Sequence, residues 1–397
     1  MKLPKTIASL ADKTAIVGIG TTEYTRRGGI TDRTEFQLCC EAIEDAAKDA
    51  GIPVTEIDGF CSYTGERHEP VLVQVALGLP EMRYSNMVWG AGGGGCSGSV
   101  MNAALAVHGG ICKYAVAYRS LCQGQYERYG QYRPRPMGGS YMAPYGLMSP
   151  GQMTALTFRR HMHLYDTPVE ALGHIAVTFR EHALRNPRAI QYGKPLDLKQ
   201  HSTSRMIADP FRLFDCCLES DGAAAVIVTT QERARDTRFH PARIVAAAQA
   251  SGPGWGIGPM GSHNMPIKDY HTTNSRAVSG HLFEMAGMGP NELDCAQIYD
   301  AFTGLVLMAL EDYGICPPGE AAKFVMEGNL SWQRAGKLPC NTAGGLLSEA
   351  YLQGFNLILE AVRQIRGTST AQVTDARTCL VTSGGGQGHK SALILAS

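Results

Sequence analysis

The chain has 397 residues, of which 36 are basic and 36 acidic, so its formal net charge is zero. This balance provides no global field for binding nucleic acid or an anionic membrane. With 46 glycines and 18% charged residues, the composition is typical of a large, buried α/β enzyme, and the length predicts two or three cores.

The cysteines predict reduced, buried thiols rather than a disulfide framework. All 12 occur singly or as the adjacent pairs 39–40 and 216–217, a pattern that favours a reducing compartment. CxxC and HExxH motifs are both missing from the sequence, so nothing supports a structural or hydrolytic zinc site. The first 13 residues have no apolar core of signal-peptide length. The longest uncharged stretch, 84–112, is too rich in Gly, Ser and Asn for a membrane span, so we expect a soluble cytoplasmic protein.

The first part of the chain alternates strand and helix signals. Residues 14–20 predict a buried strand, and 35–50 predict a helix that Gly51 and Pro53 terminate. A second strand is predicted at 57–63. The glycine turn and following helix of "GAGGGGCSGS" (90–99) lead to a third strand at 114–120. This alternation predicts a parallel sheet with helices on its faces.

The second part repeats the pattern after an interruption. Residues 121–215, rich in aromatic, Met, Arg and His residues, predict an inserted loop region over the first half. A strand at 221–230 then precedes a further strand at 242–250 and a helix at 279–286. The helix–turn–strand segments "AGIPVTEID" (50–58) and "AGMGPNELD" (286–294) match and indicate an internal duplication. We expect one half from 1–120 with 216–239, the insertion 121–215, and a second half from 240–397.

Several motifs together resemble the thiolase superfamily. They are the glycine turn before a helix, "DGAAAVIV" (221–228), "NTAGG" (341–345) and "SGGGQG" (383–388). The likeness is strongest to the subgroup related to the thiolase domain of sterol carrier protein. It implies an α/β thiolase fold of five layers, αβαβα, with an inserted loop domain, a homodimer, and an acyl-CoA thioester as ligand.

The catalytic positions of a thiolase are substituted in this chain. Where the family has Cys-Gly-Gly-Gly near the C-terminus, this sequence has Ser383. The histidine of Gly-His-Pro is replaced by Tyr351, and the asparagine of Asn-Glu-Ala-Phe by Tyr299. Aligning the first helix from "HGG" (108–110) puts the nucleophile position near Gly93, although a short insertion would restore Cys96. A cysteine at a helix start can have a lowered pKa, but its proton-shuttling partners are gone, so we favour a structural Cys96.

This pattern of substitutions resembles the steroid side-chain aldolases, the lipid-transfer protein 2 type. The segments that carry it are "QIYDAFTG", "NTAGGLLSEAYLQGFN", "EAVRQIRGTS" and "CLVTSGGG". The resemblance implies retro-aldol cleavage of a 17-hydroxy steroid β-hydroxyacyl-CoA into a 17-ketosteroid and propionyl-CoA. It also implies a DUF35-domain partner, fused to or associated with a MaoC-type hydratase, and no cofactor except the CoA of the substrate.

A retro-aldol reaction needs a base for the hydroxyl, stabilisation of the enolate and an acid for its α-carbon. Tyr299 and Tyr351 are our acid/base pair, with Tyr299 placed on the hydroxyl side and the final assignment left open. Asp300 is expected to polarise one tyrosine, or else to be a turn or cap residue. Backbone groups of the glycine turns, with Ser383 as a further contact, are expected to hold the enolate oxygen: Gly93, Gly94, Gly384, Gly385 and Gly386. The two tyrosines should therefore converge on one pocket beside both glycine loops.

The sequence also offers histidine candidates, a covering loop and two alternative functions. His389 is a lesser catalytic candidate, and His161 and His163 should face different sides of a helix, which argues against a metal pair. The basic, aromatic loop 121–165 is a candidate cover for the CoA or the steroid. The alternative functions are acyl transfer through Cys96, and a catalytically silent acyl-CoA or sterol-binding scaffold.

Overall fold

The structure is a computed structural model that describes residues 10–89, 93–126, 143–147, 149–253, 267–333, 336–385 and 388–397. Among the helices in these ranges, none combines the length and the apolar character needed to cross a bilayer.

The strands, in chain order, are β1 (Thr14–Thr21), β2 (Thr25–Arg26), β3 (Gly59–Tyr63), β4 (Tyr84–Val88), β5 (Ala115–Cys122), β6 (Met206–Ala208), β7 (Phe211–Arg212), β8 (Ser220–Thr230), β9 (Ala242–Ala250), β10 (Cys295–Gln297), β11 (Thr378–Ser383) and β12 (Lys390–Ala396).

The helices are α1 (Glu35–Ala50), α2 (Pro70–Ala76), α3 (Cys96–His108), α4 (Pro150–Tyr165), α5 (Glu170–Ala183), α6 (Leu198–Thr203), α7 (Gln231–Ala234), α8 (Arg276–Ala286), α9 (Thr303–Asp312), α10 (Ala321–Met326), α11 (Gly345–Ser348) and α12 (Phe355–Arg366). Short 3-10 turns lie at Val54–Glu56, Gln123–Gln125, Ala143–Tyr145, Leu213–Asp215, Ile267–Asp269 and Pro290–Glu292.

Helix α1 shows how local sequence signals set an element's limits. The Thr34 hydroxyl accepts a hydrogen bond from the backbone N–H of Gln37, whose side chain in turn accepts from the backbone N–H of Thr34. At the other end Gly51 adopts the left-handed conformation, with φ of 74°. This capping box and this glycine cap fix the predicted boundaries, which are confirmed.

The central sheet is mixed, so the prediction of a parallel sheet is wrong. Its strand order is β10-β11-β12-β9-β1-β8-β5-β3-β4, and β2 pairs with β8. Among the described strands, β10 is parallel to β11, and β3 is parallel to β4 and to β5. The strands between them run antiparallel to their neighbours. The hydrophobic pattern of a strand indicates which side chains are buried. It does not indicate whether the strand runs parallel or antiparallel to its neighbours, because those neighbours are distant in the sequence.

The two halves of the sheet repeat one strand plan. In the first half, β3 is parallel to β5, β8 is antiparallel to β5, and β1 is antiparallel to β8. In the second half, β10, β11, β12 and β9 repeat those relationships in the same order. The division into 1–120 with 216–239, 121–215 and 240–397 is compatible with this repeat and stays a prediction.

The five-layered αβαβα arrangement implied by the resemblance is confirmed. Helix α1 contacts β1, β5 and β8, and α8 contacts β9 and β12, so each covers one outer face. Helices α3 and α12 contact strands of both halves and form the middle layer. In β8, alternate side chains belong to separate cores, as the period of two in a strand requires: Ala223, Ala225 and Ile227 lie with α1, and Ala224, Val226 and Val228 with the middle layer.

The described part of the insertion is mainly helical rather than the expected loop. It contains α4, α5 and α6 and the small hairpin β6–β7. The insertion packs against the segment after β10 through three stacked rings. The ring of Phe211 lies between those of Phe158 and Phe302, with centroids 5.6 Å from each. Of the expected covering loop 121–165, residues 127–142 and 148 lie outside the described residues.

Candidate active site

The hydroxyls of Tyr299 and Tyr351 meet at the junction of the two halves. Their Oη atoms are 3.3 Å apart, within hydrogen-bonding distance. Tyr299 is 3% exposed, and Tyr351 is half-buried. The structure thus brings together the two residues that the sequence singled out.

Backbone bonds fix each tyrosine at a defined point. The N–H of Tyr299 donates to Oγ1 of Thr382 on β11 (2.9 Å). The N–H of Tyr351 donates to Oγ of Ser220 (2.8 Å), which itself donates back to the Tyr351 carbonyl (3.0 Å). Because Ser220 begins β8, a strand of the first half holds a tyrosine of the second.

Glycines surround the ring of Tyr299 closely. A Cβ added to Gly93 would lie 2.6 Å from Cε2 of Tyr299 and 2.4 Å from the carbonyl oxygen of Gln353. A Cβ on Gly354 would lie 3.1 Å, and one on Gly385 3.7 Å, from the nearest ring carbon of Tyr299. A side chain at Gly93 would therefore displace the tyrosine or the segment that follows Tyr351.

The two glycine loops contact each other beside this pair. A Cβ on Gly384 would lie 2.7 Å from the Cα of Gly94. Positive φ angles at Gly93 (81°) and Gly384 (96°) bend the loops into this contact, and such angles favour glycine. Gly386, expected to bind the enolate oxygen, lies outside the described residues.

Ser383 caps helix α3 instead of pointing at an open site. Its hydroxyl accepts from the N–H of Ser97 (3.0 Å) and lies 2.7 Å from the Ser97 hydroxyl. Opposite it in the β-hairpin, Ser391 accepts from the N–H of Gly98 (2.9 Å) and donates to the carbonyl of Gly94 (2.6 Å). These serines satisfy amides at a helix start that has no side-chain cap of its own.

Cys96 begins α3 next to the tyrosine pair, but its thiol is completely buried. Its Sγ would lie 3.8 Å from a Cβ on Gly354. Burial raises the pKa of Cys96 far above its ordinary value, and the hydroxyls of Ser383 and Tyr63 only partly oppose this effect. The lowering expected from the helix terminus does not prevail, so the thiol stays protonated.

Asp300 acts as a helix cap. Its carboxylate accepts from the N–H groups of Leu346 (2.8 Å) and Leu347 (3.2 Å) at the start of α11. Burial raises the pKa of Asp300 to about 7 despite these bonds. Since its described hydrogen bonds reach neither tyrosine, the polarising role expected for it has no contact to carry it. Its cap instead steadies the segment before Tyr351.

The candidate histidines lie in different surroundings. His161 is buried, with Nε2 3.0 Å from Oε2 of Glu311, whereas His163 is exposed, as expected for opposite sides of a helix. His389 follows the second glycine loop, and burial lowers its pKa. Its Nε2 is buried without a hydrogen-bond partner within the described structure.

Burial also sets the protonation of Tyr299. Loss of hydration raises the pKa of Tyr299 well above its ordinary value, and the neighbouring Tyr351 adds to the shift. The phenol is therefore a proton donor at neutral pH rather than a phenolate.

Three supporting residues were missed from the sequence. Tyr63 stacks on Phe355 (6.4 Å between centroids) and donates to the carbonyl of Leu352 (3.4 Å). Asn341 bonds both the N–H (2.7 Å) and the C=O (2.8 Å) of Ile298, the residue before Tyr299. Ser220 has the clearest signal in the sequence, because it directly precedes the "DGAAAVIV" motif.

Comparisons with known proteins agree with this architecture. A family model described as thiolase C-terminal domain-like matches residues 261–397. The chain is 40% identical to a steroid side-chain-cleaving aldolase of Thermomonospora curvata, over 96% of this chain and 97% of that protein. It is 38% identical to the 17-hydroxy-3-oxo-4-pregnene-20-carboxyl-CoA lyase of Mycobacterium tuberculosis, over 97% and 100%.

Solved structures extend the likeness to three dimensions. The Ltp2-ChsH2(DUF35) aldolase superposes with a TM-score of 0.89 at 39% identity, covering 98% of both chains. Human mitochondrial 3-ketoacyl-CoA thiolase superposes with a TM-score of 0.69 at 13% identity over 98% and 99%, which shows the shared fold alone. The chain therefore belongs to the steroid side-chain aldolase branch of the thiolase superfamily.

Proposed function

We propose that the protein cleaves a 17-hydroxy steroid β-hydroxyacyl-CoA by a retro-aldol reaction, releasing a 17-ketosteroid and propionyl-CoA. The observation that carries this proposal is the pair of hydroxyls of Tyr299 and Tyr351, 3.3 Å apart beside both glycine loops. The relatives named as aldolase and lyase support the same reaction class and steroid substrate.

The tyrosine pair can move the proton that the reaction must relocate. The substrate hydroxyl gives its proton to Tyr351, Tyr351 passes its own to Tyr299, and Tyr299 protonates the α-carbon. Meanwhile the C–C bond breaks and the hydroxyl carbon becomes a ketone carbon. The electron pair of the broken C–C bond forms the thioester enolate. Both phenols end as they began, so no phenolate has to persist.

In this proposal Tyr351 faces the substrate hydroxyl and Tyr299 faces the enolate. The sequence-based expectation is the reverse, with Tyr299 on the hydroxyl side. The raised pKa of Tyr299 suits the proton donor to the α-carbon, which leaves Tyr351, the more exposed of the two, facing the hydroxyl. Backbone N–H groups of the glycine loops would stabilise the enolate oxygen. The scheme uses no cofactor beyond the CoA of the substrate.

The alternatives gain less support from the site. Acyl transfer needs a Cys96 thiolate, and that thiol is buried with a raised pKa. A non-catalytic binding scaffold would not explain why tyrosines at two former catalytic positions bring their hydroxyls into contact.

The assembly we propose has two kinds of partner. A DUF35-domain protein is supported by the Ltp2-ChsH2(DUF35) aldolase, and a MaoC-type hydratase fused to it or bound beside it would supply the β-hydroxyl. We place the assembly in the cytoplasm.

We also propose a homodimer formed through β4. This strand is at the edge of the sheet, and exposed apolar side chains lie on and around it: Val71, Leu72, Val75, Met87, Trp89, Leu105 and Ile111. An unpaired edge can pair with its own copy across a two-fold axis. Met87→Glu should shift the protein to monomer in analytical ultracentrifugation, whereas Leu164→Glu on α4 should not. An unchanged dimer in Met87→Glu would place the interface elsewhere.

Product analysis tests the proposed reaction. The protein, co-expressed with its DUF35 partner, is incubated with a 17-hydroxy-C22-steroid-CoA, and both products are quantified by mass spectrometry. We expect equal amounts of 17-ketosteroid and propionyl-CoA. Intact substrate after prolonged incubation would contradict the proposal.

A further inference from the structure

Lys390 is a fully buried lysine that spans the second glycine loop. Lysine is almost never completely buried unless it is paired or functional. Its Cδ lies 3.2 Å from where a Cβ of Gly384 would be, at the start of the loop. Its Nζ donates to the carbonyl of Gly388, at the end of the loop (3.5 Å). The side chain thus contacts Gly384 and Gly388, described residues on either side of 386–387.

Gly384 and Gly385 lie beside the proposed reacting groups. Gly384 contacts Gly94 of the first glycine loop, and Gly385 faces the ring of Tyr299. The Gly388 carbonyl also accepts from Nδ2 of Asn274 (3.0 Å). Lys390 and Asn274 therefore both bind Gly388, while Gly384 and Gly385 lie against the site.

The charges around Lys390 leave it close to a change of protonation. Burial lowers the pKa of Lys390 to about 7, and Asp312 at the end of α9 opposes this shift. The Asp312 carboxylate is bound by the Thr273 backbone N–H (2.8 Å) and by Nε of Arg276 (3.0 Å). The adjacent His389 has a lowered pKa of its own. The amine is therefore increasingly protonated below neutral pH and neutral above it.

We propose that Lys390 is a positioning residue of the retro-aldol site: it holds Gly384 of the second glycine loop against Gly94, and its ammonium form binds the Gly388 carbonyl more strongly than the neutral amine does. This inference rests on the proposed function. Because the lysine acts through the loop, its removal should change the chemical step more than substrate binding. Its charge should also appear in the pH dependence.

Kinetics of Lys390→Met and Lys390→Arg test the catalytic part. In Lys390→Met, which keeps the length without the amine, we expect kcat to fall about a hundredfold, with KM for the acyl-CoA changed by less than about threefold. In the wild type, kcat should decline as pH rises through about 7. Lys390→Arg, whose guanidinium stays charged, should regain part of kcat and lose this decline. Lys199→Met, at an exposed lysine on α6, should match the wild type.

A readout without substrate separates this inference from the proposed function. Hydrogen exchange of the peptide that contains 384–388 should be faster in Lys390→Met than in the wild type and Lys199→Met. Unchanged exchange, or an unchanged kcat with the alkaline decline intact, would overturn the role of Lys390. A wild type that releases no 17-ketosteroid would refute the reaction, and the exchange comparison would still decide whether Lys390 holds the loop.

Discussion

The two halves of the sheet repeat one strand plan but contribute differently to the site. The first half supplies Gly93, Gly94 and the start of α3, where Cys96 is buried and its thiol stays protonated. The second half supplies Tyr299 and Tyr351, whose hydroxyls meet, and the loop beside Lys390. The first half therefore shapes the site, and the second provides its titratable groups.

This difference shows how one fold can support another reaction. In the proposed reaction the catalytic positions of the fold stay at the ends of strands and helices, but proton transfer by phenols would replace attack by a thiolate. A duplicated fold allows this change because each half positions its residues through its own strands, while contacts such as Ser220 to Tyr351 join them.

Removing either tyrosine hydroxyl should have the largest effect on activity. We expect Tyr299→Phe and Tyr351→Phe to lower kcat by about 10²–10⁴, the usual contribution of a general acid or base, while the ring keeps its packing. Steady-state kinetics together with thermal unfolding measures both effects. Tyr118→Phe, which removes a hydroxyl that donates to the His68 carbonyl (3.1 Å) in the core beside α1, should keep kcat. A kcat near wild type in Tyr299→Phe would assign the chemistry to other groups.

A methyl group at Gly93 should damage the contact between the halves. Gly93 and Gly28 share a φ of 81°, but a Cβ at Gly93 would collide with Gln353 and Tyr299, whereas no atom of the described residues lies within 4 Å of a Cβ at Gly28. We expect Gly28→Ala to cost about 1–2 kcal/mol from backbone strain alone. Gly93→Ala should cost more and should also lower kcat. If urea unfolding showed the same loss of unfolding free energy in Gly93→Ala and Gly28→Ala, and Gly93→Ala kept its activity, the close approach at Gly93 would be unimportant.

The cap at Asp300 should make stability depend on pH. Its pKa rises from 3.8 to about 7 on folding, so the folded protein binds the proton more tightly than the unfolded chain. The stabilisation from this group is complete below about pH 4 and is lost as pH rises through about 7. Relative to Asp300→Asn, the wild type should lose up to about 1.4 kcal/mol per pH unit in this window. Denaturant unfolding at several pH values tests this, and a constant difference would contradict it.

Cys96→Ala should have the smallest effect on activity. The thiol fills space at the start of α3, so we expect the free energy of unfolding to fall by about 1 kcal/mol. The value of kcat should stay within about threefold of wild type. Complete inactivity in a folded Cys96→Ala variant would restore the first half as the source of the nucleophile.

The fold was predictable where local signals decide the structure. The limits of α1 follow from its apolar period and from Gly51, and β9 begins and ends where its sequence predicts. Strand direction was not predictable from an alternating pattern, since the pairing of β1 with β8 joins residues about 200 positions apart.

The tyrosine pair was identified through the resemblance, because no local pattern distinguishes it among 16 tyrosines. The partners of Asp300 and Ser383 lie on distant helices, so their capping could not be deduced from neighbouring residues. Lys390 begins an apolar strand, "KSALILA", and only its placement under the glycine loop reveals that it is buried.

The most direct test of cleavage without a covalent intermediate is the intact mass of the wild-type chain during turnover of a 17-hydroxy-C22-steroid-CoA. We expect propionyl-CoA to accumulate while the chain, quenched at intervals, keeps its unmodified mass. A propionyl adduct that maps to Cys96, forms as fast as product and is abolished in Cys96→Ala would contradict it. That result would return the chemistry to the thiolate of the first half.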